Sequence, residues 1–281
     1  APSVTELKTI NAATTGAITL SDATGALSGS TADLVLAFAG TVTTHTGTVT
    51  ITDAPSVTEL VTINAATTGA ITLDVTNGAL SGSATGLVQA FAGTVTEHTG
   101  TVLIANAPTV DQLKTINAAT TGAITLSDAT GALSGTSADL VLAFAGTVTQ
   151  HTGTVTIENA DYTLAQLVTI NAATNGAITL STDNTPLSGT SADYALALAG
   201  TINYDGAVTI SNSNYTVAQL VNINNGTTGA ITLNDPSTAL SGTAADLVLA
   251  FAGSITEHTG TVTITDAPTV AELKTINAAT T

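Results

Sequence analysis

Short runs in which apolar and hydroxyl residues alternate recur along this chain, and each leads into a run whose apolar residues fall three and four apart. In Val49-Thr50-Ile51-Thr52 the alternation puts Val49 and Ile51 on one side and the threonines on the other, the pattern of a half-buried strand. Ala70-Ile71-Thr72-Leu73 repeats it, with Ile71 and Leu73 inward. Between them, Val57, Leu60 and Ile63 share one face of a predicted helix that packs onto the strands. Its start is marked by a capping box, in which a hydroxyl and a carboxylate or amide three residues later satisfy the free N–H groups. The pairs are Ser3 with Glu6, Ser56 with Glu59, Thr109 with Gln112, Thr163 with Gln166, Thr216 with Gln219 and Thr269 with Glu272. Asn64 and the T-T-G that closes at Gly69 predict the stop, the glycine supplying a positive φ.

A second helix follows each first one. Thr136 and Asp139 form its cap in the third unit, Leu140 and Phe144 its buried face, and Gly146 its end; a loop from Thr147 to Gly153 leads to the next strand. The cycle is periodic. Its anchoring leucines, Leu7, Leu60, Leu113, Leu167, Leu220 and Leu273, recur at a near-constant interval, and Leu34, Leu87, Leu140, Tyr194 and Leu247 divide each interval in half. The units are residues 1–53, 54–106, 107–159, 160–212 and 213–266, with 267–281 opening a sixth. A half-step of one strand and one helix predicts an α/β solenoid, right-handed, with parallel strands on one face and helices on the other. Four-residue strands need partners in the next coil, so the expectation is one long sheet advancing about 4.8 Å per coil, about 50 Å in all. The whole chain, residues 1–281, reads as a single array. Unit four is irregular: it gains a residue near Asp161, loses one in Tyr204-Asp205-Gly206, and has Leu198 where the others have Phe.

Composition narrows the function classes. Three Lys and Arg stand against 20 Asp and Glu, a net charge of −17. Nucleic-acid binding needs clustered cations, and only Lys8, Lys114 and Lys274 are present, so that function is excluded. High acidity favours solubility outside a cell and partners that are cations, neutral polymers or copies of the same chain. The chain has no Cys, hence neither disulfides nor thiolate metal sites. No run of 18 apolar residues and no basic segment leading into an apolar one is present, so membrane insertion is not expected. A start at a repeat boundary and a stop inside a unit, without polar capping coils, are what a piece of a longer protein would show.

Four kinds of residue carry candidate chemistry. Asp22, Asp53, Asp128, Asp235 and Asp266 sit at strand ends, where carboxylates and hydroxyls suit Ca²⁺. Their equivalents drift to Asp74 and Asp183, and Asp53 is replaced by Asn106, Asn159 and Asn212, an exchange that helix capping and turns explain directly. His45, His98, His151 and His258 each lie in the same loop of their units, and stand about 10 Å apart if two coils separate them, too far to share an ion. They are expected to be exposed loop residues. The outward threonines, Thr50, Thr52 and Thr72 with their copies, would form hydroxyl ladders of the kind that order water, which makes ice binding an alternative; they could also carry O-linked glycans. Asn214-Tyr-Thr216 and Asn225-Gly-Thr227 match the N-glycosylation pattern. No G-x-S-x-G elbow, phosphate loop, dinucleotide fingerprint or H-E-x-x-H motif occurs, so no catalytic residue and no cofactor is assigned.

The stretch from Leu240 to Val270, LSGTAADLVLAFAGSITEHTGTVTITDAPTV, resembles the Ala/Thr/Val-rich tandem repeats of very large bacterial surface proteins, particularly cyanobacterial and RTX-type adhesins. The resemblance implies secretion, attachment at the cell surface or assembly into extracellular fibres. The chain lacks the G-G-x-G-x-D nonapeptides of RTX calcium modules, which sets it apart from calcium-dependent folding. The resulting expectation is a structural spacer, either a stalk segment of an adhesin or the protomer of a filament, joined end to end to its own copies or to flanking repeats.

Overall fold

The computed structural model describes residues 1–182 and 185–281. Eleven helices alternate with short strands among them. The long helices are α1 (Val4–Ala13), α3 (Val57–Ala66), α5 (Val110–Ala118), α7 (Leu164–Ala173), α9 (Val217–Gly226) and α11 (Val270–Ala278). The short ones are α2 (Thr31–Ala37), α4 (Ala84–Ala90), α6 (Ser137–Ala143), α8 (Ser191–Ala197) and α10 (Ala244–Ala250). The strands, three residues each, are β1 (Leu27–Gly29), β2 (Val49–Ile51), β3 (Ile71–Leu73), β4 (Leu80–Gly82), β5 (Val102–Ile104), β6 (Ile124–Leu126) and β7 (Leu133–Gly135). They continue as β8 (Val155–Ile157), β9 (Ile178–Leu180), β10 (Leu187–Gly189), β11 (Val208–Ile210), β12 (Ile231–Leu233), β13 (Leu240–Gly242) and β14 (Val262–Ile264). All pairing between them is parallel, and the fold is an α/β repeat solenoid. The chain falls into two compact units, one of residues 1–131 with 142–149, the other of residues 132–141 with 150–281.

In the first unit β1, β2 and β3 form one three-stranded sheet and β4, β5 and β6 another; in the second, β7 to β9 and β10 to β12 do the same and β13 pairs with β14. The single continuous sheet expected from the sequence is therefore divided into ladders that restart every double coil. The cause is a mismatch of steps. The paired rows Leu27, Val49 and Ile71 follow one another at shorter intervals than the helix anchors Leu34, Leu60 and Leu87. Each row consequently starts farther ahead of its helix, until the ladder ends in a lone bridge from Ile71 to Val95. Leu80 then opens the next ladder at the position Leu27 held.

Every long helix has the capping box the sequence predicts. Its end differs from expectation. Among the described residues the positive-φ glycines are Gly40, Gly93, Gly146, Gly200 and Gly253, all just after short helices, so Gly146 terminates its helix as predicted. Gly69 is not among them; α3 stops at Thr67 in extended backbone, and Gly69 is small because a Cβ there would overlap the Gly47 carbonyl oxygen of the preceding coil. Close stacking, not handedness, selects that glycine.

Two side chains from neighbouring coils hold each short helix. At its start, Asp53 accepts the Thr31 N–H at 2.7 Å, Asn106 that of Ala84 at 2.9 Å, Asn159 that of Ser137 at 2.7 Å, Asn212 that of Ser191 at 2.8 Å and Asp266 that of Ala244 at 2.8 Å. At its end, the long-helix asparagine of the previous coil donates to the terminal carbonyls: Asn64 to Gln89, Ala90 and Ala92 at 3.0, 3.2 and 2.7 Å, Asn117 to Leu142, Ala143 and Ala145 at 3.1, 3.1 and 2.7 Å. Asn11, Asn171 and Asn224 make the same reach. A seven-residue helix is too short to be stable by propensity, so these clamps and the burial of Leu34, Leu87 and Leu140 hold it.

Replacing Asn64 by Ala is expected to cost about 1–2 kcal/mol, because the amide shared by the carbonyls that end α4 is lost. Hydrogen exchange would show the loss as faster exchange in α4 ahead of the other helices; uniform exchange across the array would contradict the clamp.

Candidate functional site

The five aspartates proposed as calcium ligands divide into two structural roles. Asp22 accepts the N–H and hydroxyl of Thr24 at 2.9 and 2.6 Å and lies 3.4 Å from the N-terminal ammonium. Those hydrogen bonds, with the ammonium, bring its pKa down to about 2. Asp128 does the same with Thr130 at 3.0 and 2.7 Å, and Asp235 with Ser237 at 3.0 and 2.5 Å, whose hydroxyl and N–H lower the Asp235 pKa. These three build turns. Asp53 and Asp266 are the helix-start acceptors described above, a task in which the Asn106, Asn159 and Asn212 carbonyl oxygens serve equally. Asp74 donates its N–H to Ile51, continuing the ladder; Asp183 lies outside the described residues. No group of three His, Cys, Asp or Glu side chains converges among the described residues.

The histidines are not exposed, which corrects the sequence expectation. His45, His98 and His151 are 2% exposed and His258 is 0%. Each bridges to the threonine after the next long helix, as His45 to Thr67 and His98 to Thr120. The His45 Nε2 is 2.7 Å from the Gly25 carbonyl oxygen and its Nδ1 3.4 Å from the Thr67 hydroxyl; for His98 the distances are 2.7 Å to Gly78 and 3.3 Å to Thr120. A carbonyl only accepts, so Nε2 carries the proton. A second proton on Nδ1 would find only a threonine hydroxyl that already receives a glycine N–H, from Gly69 at 2.9 Å or Gly122 at 3.0 Å. Phe38 and Phe91 cover the rings, with centroids 6.0 Å away in both cases. Burial lowers the pKa of His98 and His258, while the carbonyls of Gly78 and Thr238 push in the opposite direction. Neither His258 ring nitrogen has a partner in hydrogen-bond geometry, so the Thr238 carbonyl acts on it only at longer range.

On the outward side, Ser28, Thr50 and Thr72 stand in register, as do Ser134, Thr156 and Thr179, and Ser188, Thr209 and Thr232. The hydroxyl columns expected from the alternation are present, each three rows long, and Leu103 interrupts the one between Ser81 and Thr125.

Unit four departs from this plan in several linked positions. Tyr204 takes the histidine place, bridging to Thr227, and its hydroxyl donates to the Thr185 and Ala207 carbonyls. Tyr194 stands where other units have leucine, and the smaller Leu198 stands where they have phenylalanine. Gly226 replaces alanine, since a Cβ there would lie 2.5 Å from the Leu198 Cβ. Burial raises the Tyr204 pKa, with Tyr162 and Tyr194 adding to it, and raises that of Tyr194 to about 12 against a small opposing effect of the Thr209 backbone. A half-open cleft of about 230 Å³ opens beside these changes, lined by Asn203, Tyr204, Asp205, Asn225, Gly226, Thr227 and Thr228. The shortened loop was visible in the sequence; that its partner changes lie in the following coil, at Asn225 and Gly226, was the available signal for a site. Comparison of the chain with protein-family models and with curated proteins finds no match to either. No helix among the described residues is long and apolar enough to cross a membrane.

Because the folded-state pKa of His98 lies below its ordinary 6.5, the stability its neutral ring contributes is complete above that value and is lost as pH falls below it. Urea midpoints are expected to drop between pH 7.5 and 5, and His98→Gln to flatten that drop; an unchanged acid limb in the variant would show that His98 does not carry it.

Proposed function

We propose that this chain is a structural repeat segment of a secreted or cell-surface protein, serving as a stiff spacer in a stalk or fibre of the adhesin kind. The observation that supports the reading most is the use to which the polar side chains are put. The helix-start Asp or Asn, the long-helix Asn and the buried His or Tyr recur in every full unit, and, the His258 ring apart, they hydrogen-bond one coil to the next. The covalent chain and these lateral bonds together resist bending between coils, which is what a spacer requires.

A second reading, ice binding, is favoured only by the registered Ser and Thr columns; their three-row length and Leu103 make them a small template.

Chains of two, three and five double coils are expected to unfold at rising midpoints, as nearest-neighbour coupling requires. Midpoints independent of unit number would defeat the spacer reading. For the second reading, thermal hysteresis at millimolar protein is the measurement, and an undetectable value removes it.

A further inference from the structure

We propose that the cleft in unit four is a binding site for a single neutral sugar ring, independent of the spacer reading. In the preceding unit Gln150 and Asn175 span the corresponding place through two amide hydrogen bonds of 3.1 and 3.0 Å across adjacent coils. The bridges Ile124 to Val148 and His151 to Thr174, set beside Ile178 to Ile202 and Tyr204 to Thr227, show that Asn203 alone spans the place that Thr149 and Gln150 fill in the preceding unit. No Gln150–Asn175 type of pair can form there.

Around that opening the repeat pattern is rewritten toward carboxamides. Asn203 stands alone where other units have the pairs Thr43-Thr44, Thr96-Glu97, Thr149-Gln150 and Thr256-Glu257; Asn225 stands where long helices have Ala65, Ala118 and Ala172; Asp205 stands for Thr46, Thr99, Thr152 and Thr259. Two segments in neighbouring coils depart together and face one cleft. Its floor is made of the buried Tyr204, Gly226 and Thr227, whose polar groups are satisfied within the chain: the Tyr204 hydroxyl by two carbonyls, the Thr227 hydroxyl by the Gly229 N–H at 2.9 Å. Its rim is made of Asn203, Asp205, Asn225 and Thr228, which reach solvent.

The rim decides the ligand. Each carboxamide offers two donors and an acceptor, and a threonine hydroxyl offers both, so Asn203, Asn225 and Thr228 match adjacent hydroxyls that donate and accept at once. None of the residues lining the cleft is cationic, which excludes anions, and a lone carboxylate falls short of the several that Ca²⁺ takes. The volume of 230 Å³ equals the room of roughly seven waters and lies below the range of drug-sized pockets, which fits one ring rather than a chain. Affinity is expected to be weak, roughly millimolar.

The test is a ¹H–¹⁵N titration of the whole chain with methyl glucoside, methyl galactoside, methyl mannoside and N-acetylglucosamine, with ethylammonium as the cationic control. Saturable shifts confined to residues 203–206 and 225–229 with at least one sugar are the expected result. Asn225→Ala restores the residue of the other repeats and Asn203→Thr introduces one that they all carry in this loop, so both should fold as the parent does and weaken binding at least tenfold. The proposal is overturned if no sugar shifts these residues, if ethylammonium alone does, or if both variants bind as the parent chain does.

Discussion

A strand of three residues has almost no hydrogen bonds of its own to offer, so every coil of this chain exists only as half of a contact. Val49, for example, finds Leu27 on one side and Ile71 on the other, and its N–H reaches the Ala70 carbonyl. Such pairing requires backbones about 4.8 Å apart, and no side chain fits between stacked turns at that spacing. Gly47 and Gly69 are placed by this requirement. The capped helices, the histidine bridges and the apolar interior all follow from holding coils that close.

Local chemistry was legible in the residues themselves. Capping boxes such as Ser56 with Glu59 depend on a spacing within one helix, and Val57, Leu60 and Ile63 depend on one helical period, so both are readable without knowing what lies alongside. Contacts across coils were not. Asn64 reads as a helix-ending residue, yet its amide works on the far end of the next helix, at Gln89, Ala90 and Ala92. His45 sits among threonines and a glycine in a loop-like stretch, and its burial comes from Phe38, Thr67 and the Gly25 carbonyl, all from other segments. The division of the sheet likewise arises from two step lengths that differ, the shorter one of the paired rows and the longer one of the helix anchors, and only the second shows in the leucines.

Unit four shows how a repeat can absorb change without losing its pairing. Replacing histidine by Tyr204 keeps the hydrogen bond to a carbonyl of the neighbouring turn, and Leu198 with Gly226 returns the space that the larger rings take. The parallel ladder from β10 to β12 passes through undisturbed. An array regular elsewhere can thereby hold one position of distinct surface chemistry at low cost to its stacking.

The asparagine clamp has a consequence for how such an array can grow. Asn64 on a ten-residue helix meets the end of a seven-residue helix in the next turn, and Asp53 reaches back to the start of a seven-residue helix in the previous one. Insertion or loss of a single turn would set long helix against long helix and leave both partners facing the wrong groups. Recombination can therefore lengthen or shorten this protein only in whole pairs, so the reach of the array is quantised in steps of two turns, and the double coil is the smallest heritable increment of length.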